Sequence, residues 1–335
     1  MGLGYYFGVL KRMRFKRISD ACNVVHRKTG KNKLAIYMDM IGCAMKYGAG
    51  HSDYVLFEYY NMNSKERKTY IGRMKNKKLL SMLNDDSYGE CFDKKSKFAE
   101  KFAEFTKRDI LALEKATIDD LDKFLADKRY FLAKPDDGEC GHGIEKLDKE
   151  SFQSTESLFN YLKEKNFGVC EEIIKQHEDL AKLHPDSLNC IRICTLLKDG
   201  KVNFLYGLLK MGSDGGFVDN LDRGGIACHI DVEKGVIISN GHDGKFDTHE
   251  AHPVTGVKFM GYKIPCYDEL KEMVRKASMV VPQITYIGWD VCVTPDGPAI
   301  VEGNDYPGYD FPQIPDENLP RIGLIPKFNK YGIHI

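Results

Sequence analysis

The ten cysteines, at 22, 43, 91, 140, 170, 190, 194, 228, 266 and 292, include no C-x-x-C pair and no Cys/His cluster with zinc spacing. Several lie in apolar runs such as "CIRICTLL" and "WDVCV", where a free thiol packs as a small core residue. A reducing compartment is the simplest reading. No stretch reaches the roughly 18–20 uninterrupted apolar residues of a spanning helix. Net charge is also missing: 49 basic residues balance 49 acidic ones, so nothing favours nucleic acid as a general partner. Neither G-x-x-x-x-G-K-[ST] nor G-x-G-x-x-G occurs. No Ser/His/Asp or Cys/His nucleophile arrangement is evident, and there is no internal repeat or low-complexity linker.

What remains is an ordinary folded composition, 42% hydrophobic and 29% charged over 335 residues, enough for one large or two medium domains. The N-terminus, "MGLGYYFGVLKRMRFKR", runs from an apolar patch into basic residues, the wrong order for a secretory signal. It reads as a helix with a solvated basic face or as a peripheral contact with an acidic membrane surface. The expected location is cytoplasmic.

Residues 1–90 read as a helical, basic region. From 91 the texture changes. "FDKKSKFAEKFAEFTKRDILAL" begins as an amphipathic helix with Phe98, Phe102 and Phe105 on one face. "RYFLAKP" is a short strand, and "SFQSTESLFNYLKEKN" is a helix with Ser154 as its cap. The strands "FGVCEEII", "IRICTLL", "VNFLYGLLKM" and "IACHIDV" follow, then a helix, "YDELKEMVRKASMVV", and a closing pair, "ITYIGWDVCV" and "PAIVEGN". Strands beside strands predict an α+β body.

The closing pair carries the chemistry. "TPDGP" is a turn by composition. With those five residues as the loop, Val293 faces Ala299, Asp290 falls opposite Glu302, and Asn304 shares their face. Opposed carboxylates destabilise a sheet unless a cation or a shared proton intervenes. Two carboxylates and an amide oxygen suit Mg²⁺.

"FLAKPDDGECGHGI" sets Lys134 at a strand end before Gly138, Gly141 and Gly143, a loop able to turn N–H groups onto an anion. "FGVCEEIIKQHEDL" offers strand-exit backbone for adenine and an acid for ribose. Arg192, among apolar neighbours, needs an anionic partner, either a structural acid such as Glu172 or a phosphate. "LLKMGSDGGFVDNLDRGGI" combines Lys210, a long glycine-rich loop, Asn220 and Gly224–Gly225, the makings of a lid or binding loop. His177, His242, His249 and His252 sit in polar stretches and read as solvated or locally bonded.

In this order the pieces resemble an ATP-grasp enzyme: Asp93–Lys94, Lys134 with its glycine loop, Glu171 to Ile174, Arg192, Lys210, N-x-x-x-G-G at 220–225, Asp290, and E-x-N at 302–304. More narrowly, "SLNCIRI", "VDNLDRGGI", "AHPVTG" and "IGWDVCVTPDGPAIVEGN" resemble the sugar-transfer-associated group, found among surface-polysaccharide genes. The resemblance implies two α+β subdomains, about 91–175 and 176–335, gripping ATP between antiparallel sheets, behind a helical N-terminal region of residues 1–90. Lys94 and Lys134 would contact phosphates, with Gly141 and Gly143 in the loop. Backbone around Glu171, Glu172, Ile173 and Ile174 would read adenine, and Glu178 stands at the distance of the ribose acid. Asp290, Glu302 and Asn304 would hold one or two Mg²⁺, while Arg192, Lys210 and Asn220 would serve the transferring phosphoryl group. The implied reaction is ATP-dependent carboxylate–amine ligation through an acyl phosphate. A kinase on the same scaffold and a nucleotide-binding partner of a transferase are the alternatives. Residues 1–90 lack the βαβ texture of the usual ATP-grasp pre-domain, which leaves the carboxylate substrate and amine acceptor open among sugar acids, amino acids and lipid-linked saccharides.

Overall fold

The computed structural model describes residues 15–138, 142–213, 224–244 and 247–335. The chain packs as two compact units, one of residues 1–83 with 308–335 and one of residues 84–307.

The first unit is helical. Helix Phe15–Thr29 buries Ile18, Ala21, Cys22 and Val25 at helical spacing. Asn32 caps the next helix, Lys33–Tyr47, by accepting from the N–H groups of Leu34 and Ala35, and Gly48 ends it at φ 70°. Tyr54, Phe57, Tyr59, Tyr70 and Tyr309 form an aromatic core beyond it. Arg67 ties this core to helix Lys33–Tyr47 through a bidentate pair with Asp39 and bonds to the Tyr59 carbonyl.

The second unit contains two antiparallel sheets. The smaller has the order β1-β4-β2-β3, from strands β1 (Ile110–Ala112), β2 (Tyr130–Lys134), β3 (Glu145–Asp148) and β4 (Val169–Glu172). The larger has the order β11-β10-β5-β6-β7-β8-β9. Its strands are β5 (Cys190–Lys198), β6 (Lys201–Met211), β7 (Ile226–Asp231), β8 (Val236–Asp243), β9 (Thr248–His249), β10 (Tyr286–Thr294) and β11 (Gly297–Asn304). The expected α+β body with a helical N-terminal region is what forms. Ser154 caps helix Thr155–Glu164 as its sequence predicts, accepting from the Ser157 N–H. Four strands were not anticipated: β1, β3, β8 and β9.

Along β10 the odd positions face the core. Trp289 is fully buried there, with its indole N–H shared between the hydroxyls of Thr195 and Ser278. Phe92 and Phe102 meet it edge-on, and helix Tyr267–Ala277 closes the core with Leu270, Val274 and Ala277. The even positions face the other way, and the acids lie on that side. Among the described residues no helix is long and apolar enough to cross a membrane.

Candidate functional site

The β10–β11 hairpin departs from its expected register in an informative way. Thr294 pairs with Gly297, so the connection is a tight two-residue turn rather than a five-residue loop. The Thr294 hydroxyl and Gly297 at φ 106° set that turn. Pairing then runs Val293 to Pro298, Cys292 to Ala299 and Val291 to Ile300. Val293 therefore does not face Ala299. A β-bulge at Val301 follows, and beyond it Asp290 is opposite Glu302 and Gly288 opposite Asn304. Two departures of one residue cancel, and the expected carboxylate pair is restored.

Asp290 and Glu302 belong to a row of charged side chains crossing four strands. Asp290 on β10 lies directly opposite Arg192 on β5, which donates Nε to Asp290 Oδ1 and a terminal NH₂ to Oδ2, the latter at 2.7 Å. Lys210 on β6 pairs with Cys190, two residues along from Arg192, and its Nζ reaches Asp290 Oδ2 at 3.1 Å. The anion that Arg192 required is thus Asp290, not Glu172, because the two face each other on neighbouring strands. Burial works against ionisation of Asp290, but Arg192 and Lys210 outweigh it and hold its pKa well below the carboxylate range. Glu302 moves the other way, pushed up by burial and by Asp290 beside it. The row carries two carboxylates against two fixed cations.

A second buried cluster joins the small sheet to this hairpin. Glu171 on β4 accepts Lys134 Nζ at 2.7 Å and Arg108 Nε at 3.1 Å. Burial opposes its charge, yet Lys134 and Arg108 bring its pKa down to about 2. Arg108 also donates to the carbonyls of Ile300 (2.8 Å), Val301 (3.1 Å) and Thr106 (3.2 Å). Sequence reasoning missed Arg108. Its neighbourhood, "FTKRDIL", resembles any solvated basic turn, and no local signal marks the side chain as buried.

The remaining predicted residues are dispersed. Lys94 is half-exposed and pairs with Glu90 at 3.4 Å. Gly143 sits at φ 73° against the Pro135 ring, a conformation and closeness that suit glycine. Glu172 accepts the Asp109 N–H, and Ile173 and Ile174 leave β4 half-buried. Glu178 is exposed in the first turn of helix Glu178–Leu183. Gly141 and Asn220 lie outside the described residues, as does the start of the basic N-terminal stretch.

The histidines divide. His177 and His249 are locally bonded as expected, to the Asp179 N–H and to Asp243, whereas His242 is buried in β8 and His252 is buried rather than solvated. His252 Nδ1 accepts the N–H groups of Val254 and Thr255, so its proton is on Nε2, which donates to the Gly212 carbonyl at 2.8 Å. On the other side the Gly212 N–H donates to Ser187 Oγ at 2.9 Å, and that hydroxyl is held by His184 Nδ1. Ser213 Oγ then bonds the Gly224 carbonyl. Turn-rich sequence around these histidines concealed contacts made across the fold.

Asp290, Glu302 and Asn304 are all oxygen donors. The Asn304 amide nitrogen donates to the Gly288 carbonyl at 3.3 Å, which turns its amide oxygen away from that bond. Among the described residues there is no group of three or more His, Cys, Asp or Glu placed for a metal; the set here is two carboxylates and an amide. Arg192 and Lys210 already occupy the Asp290 oxygens, and what the set offers besides is hard oxygen donors, from half-buried Glu302 and the Asn304 amide, of the kind Mg²⁺ takes.

Residues 65–321 match the sugar-transfer associated ATP-grasp family. No curated protein matches the chain in sequence. Among solved structures, the chain is similar to the ATP-grasp ligase PsnB complexed with a minimal precursor. The identity is 14%, the TM-score 0.45, and the match covers 80% of this chain and 70% of that one. It is also similar to N5-carboxyaminoimidazole synthetase from Staphylococcus aureus complexed with ADP (13%, TM-score 0.41, 66% of this chain and 46% of that one). A third similarity is to the L-amino acid ligase from Bacillus licheniformis (14%, TM-score 0.40, 65% and 41%). The chain spans under half the length of the latter two.

Proposed function

The chain belongs to the sugar-transfer associated ATP-grasp family, and from that premise we propose that it is an ATP- and Mg²⁺-dependent carboxylate–amine ligase. The observation that carries this reading is the row Lys210–Arg192–Asp290–Glu302, which gathers cations and hard oxygen donors on one face of one sheet. We place the catalytic body at residues 91–335, of which 308–335 pack in the helical unit, with subdomains meeting near residue 175. The location we propose is cytoplasmic, where ATP is supplied. We assign the product to sugar or surface-polysaccharide modification, and keep both readings of the basic N-terminus, a solvated helix face and a peripheral membrane contact.

In the proposed reaction a substrate carboxylate oxygen attacks the γ-phosphorus of ATP. The bond to the β–γ bridging oxygen breaks, and ADP leaves with that electron pair. An amine nitrogen then attacks the acyl carbon, the bond to the phosphate oxygen breaks, and phosphate departs while the amine loses its proton to solvent. Neither step uses a protein nucleophile. Both require charge neutralised in place. Arg192 and Lys210, oriented by Asp290, face the phosphoryl group as it transfers; Lys134, fixed by Glu171, serves the remaining phosphates. Asp290, Glu302 and Asn304 would hold Mg²⁺, which supplies Lewis-acid neutralisation of phosphate oxygens.

The test follows the γ-phosphate by ³¹P NMR with Mg-ATP, a panel of uronic and amino acids, and hydroxylamine as the amine. Hydroxamate, ADP and free phosphate appearing with one acid is the expected result. A stable phosphorylated sugar would make the protein a kinase. ATP binding without turnover across the panel and cell extract would make it a nucleotide-binding partner of a transferase.

A further inference from the structure

The two-residue turn at Pro295–Asp296 dictates a register in which each pair of β10 and β11 residues is related as Val291 is to Ile300. Continued without interruption, that register would set Asp290 opposite Val301 and Trp289 opposite Glu302. Side chains alternate faces, so a slip of one residue exchanges them. Glu302 would then share the core face with Trp289, and the carboxylate pair would not exist. The extra residue at Val301 is what brings Glu302 onto the face of Asp290.

A bulge leaves ladder groups unpaired, and buried carbonyls require donors. In a regular strand, successive carbonyls point to opposite edges. Here the carbonyls of Ile300 and Val301 both reach one guanidinium, that of Arg108. The Arg108 side chain is 3% exposed, and its other side rests on Glu171, the partner of Lys134. The planar fork matches this task in a way an ammonium does not. Among the described residues β11 is the edge strand of its sheet, and no neighbouring strand on that side supplies donors in its place.

We propose that Arg108 is a positioning residue: by capping the Val301 bulge it sets the Glu302 register and so assembles the cation site, and by holding Glu171 it ties that site to the phosphate-contacting Lys134. The inference deepens the proposed function and rests on it for the identity of the ligand.

The register admits a suppressor. Deleting Val301 makes Glu302 the next residue after Ile300, and the regular register of the turn then places it opposite Asp290 with no bulge to cap. The experiment measures Mn²⁺ bound with ADP by electron paramagnetic resonance, in full-length wild type, Arg108→Ala, Arg108→Lys, the Val301 deletion, and Arg108→Ala combined with the deletion. Trp289 fluorescence confirms that each is folded. Expected are at least tenfold weaker Mn²⁺ binding in Arg108→Ala and Arg108→Lys, and near wild-type binding in the deletion alone. The combined variant should bind at least about threefold more tightly than Arg108→Ala, the remaining deficit being the hold on Glu171 that the deletion does not replace. A generic structural role for Arg108 predicts no such recovery. Wild-type binding in folded Arg108→Ala would overturn the proposal, as would a combined variant no better than Arg108→Ala. Should wild type itself bind no Mn²⁺ with ADP, the proposed function fails, and this inference with it. If Arg108→Ala does not fold, Arg108→Lys and its combination with the deletion carry the comparison.

Discussion

Replacing Glu171 with Gln tests how the small sheet holds its buried charges. The carboxylate sits between Lys134 and Arg108 at 5% exposure, and its pKa is about 2 against an ordinary 4.5. At 1.36 kcal/mol per pKa unit, that difference corresponds to about 3 kcal/mol of folding stability at pH 7. Removal of one partner from a buried ion pair costs a similar ~3–5 kcal/mol. Because the folded-state value is depressed, the contribution is complete above about pH 5 and is lost as pH falls toward 2. The gap between wild type and Glu171→Gln should therefore be about 3 kcal/mol at pH 7 and about 1 kcal/mol at pH 3. Urea unfolding followed by fluorescence is a direct assay, since Trp289 is the single tryptophan and lies buried in the same unit. Glu171→Gln less than about 1 kcal/mol weaker at pH 7, or a gap unchanged at pH 3, would refute the reasoning.

Asp290→Asn leaves Arg192 and Lys210 facing Glu302 alone; ADP-forming turnover should fall by about 100-fold or more, and unchanged turnover in a folded variant would remove this row from catalysis. Gly168→Ala would set a methyl carbon 2.5 Å from the Asp136 backbone, so a loss of about 1–3 kcal/mol is expected in the same unfolding assay. The pKa of His252 is lowered by burial and by the neighbouring His184 and His249. The unfolded chain therefore takes up that proton more readily, and stability drops as pH falls below about 6.5. His252→Asn should flatten that dependence, measured as the urea midpoint between pH 7.5 and 5.5.

The fold class and the acid pair were legible because both rest on local pattern. Alternation in "ITYIGWDVCV" and "PAIVEGN" put Asp290, Glu302 and Asn304 in two adjoining strands, and the helical repeat of Phe98, Phe102 and Phe105 put all three rings in the interior. The true register was not legible, since a bulge at Val301 has no sequence mark and a tight turn competes with a wider one over the same "TPDGP". Arg108 escaped for a related reason. Its partners lie 63 and 192 residues away, and a basic residue in "FTKRDIL" is ordinarily solvated. β1 and β3 are three and four residues long, too short for alternation to register. Strand β8 was hidden by "SNGHD", whose composition signals a turn although the backbone remains in the sheet.

The clamp around Gly212 has a consequence for how this protein can change. His252 and Ser187 fix one end of the glycine-rich connection between β6 and β7, and Ser213 fastens that end to Gly224 at the other. A connection tied at its base can lengthen or shorten without pulling on the strands that leave it, and doubling its length costs only about 0.6 kcal/mol in closure entropy. Lys210, two residues before the clamp, would hold its place against Asp290 while the sequence beyond it varied. The connection is thus a place where changes of length can be absorbed while the row of charges stays as it is.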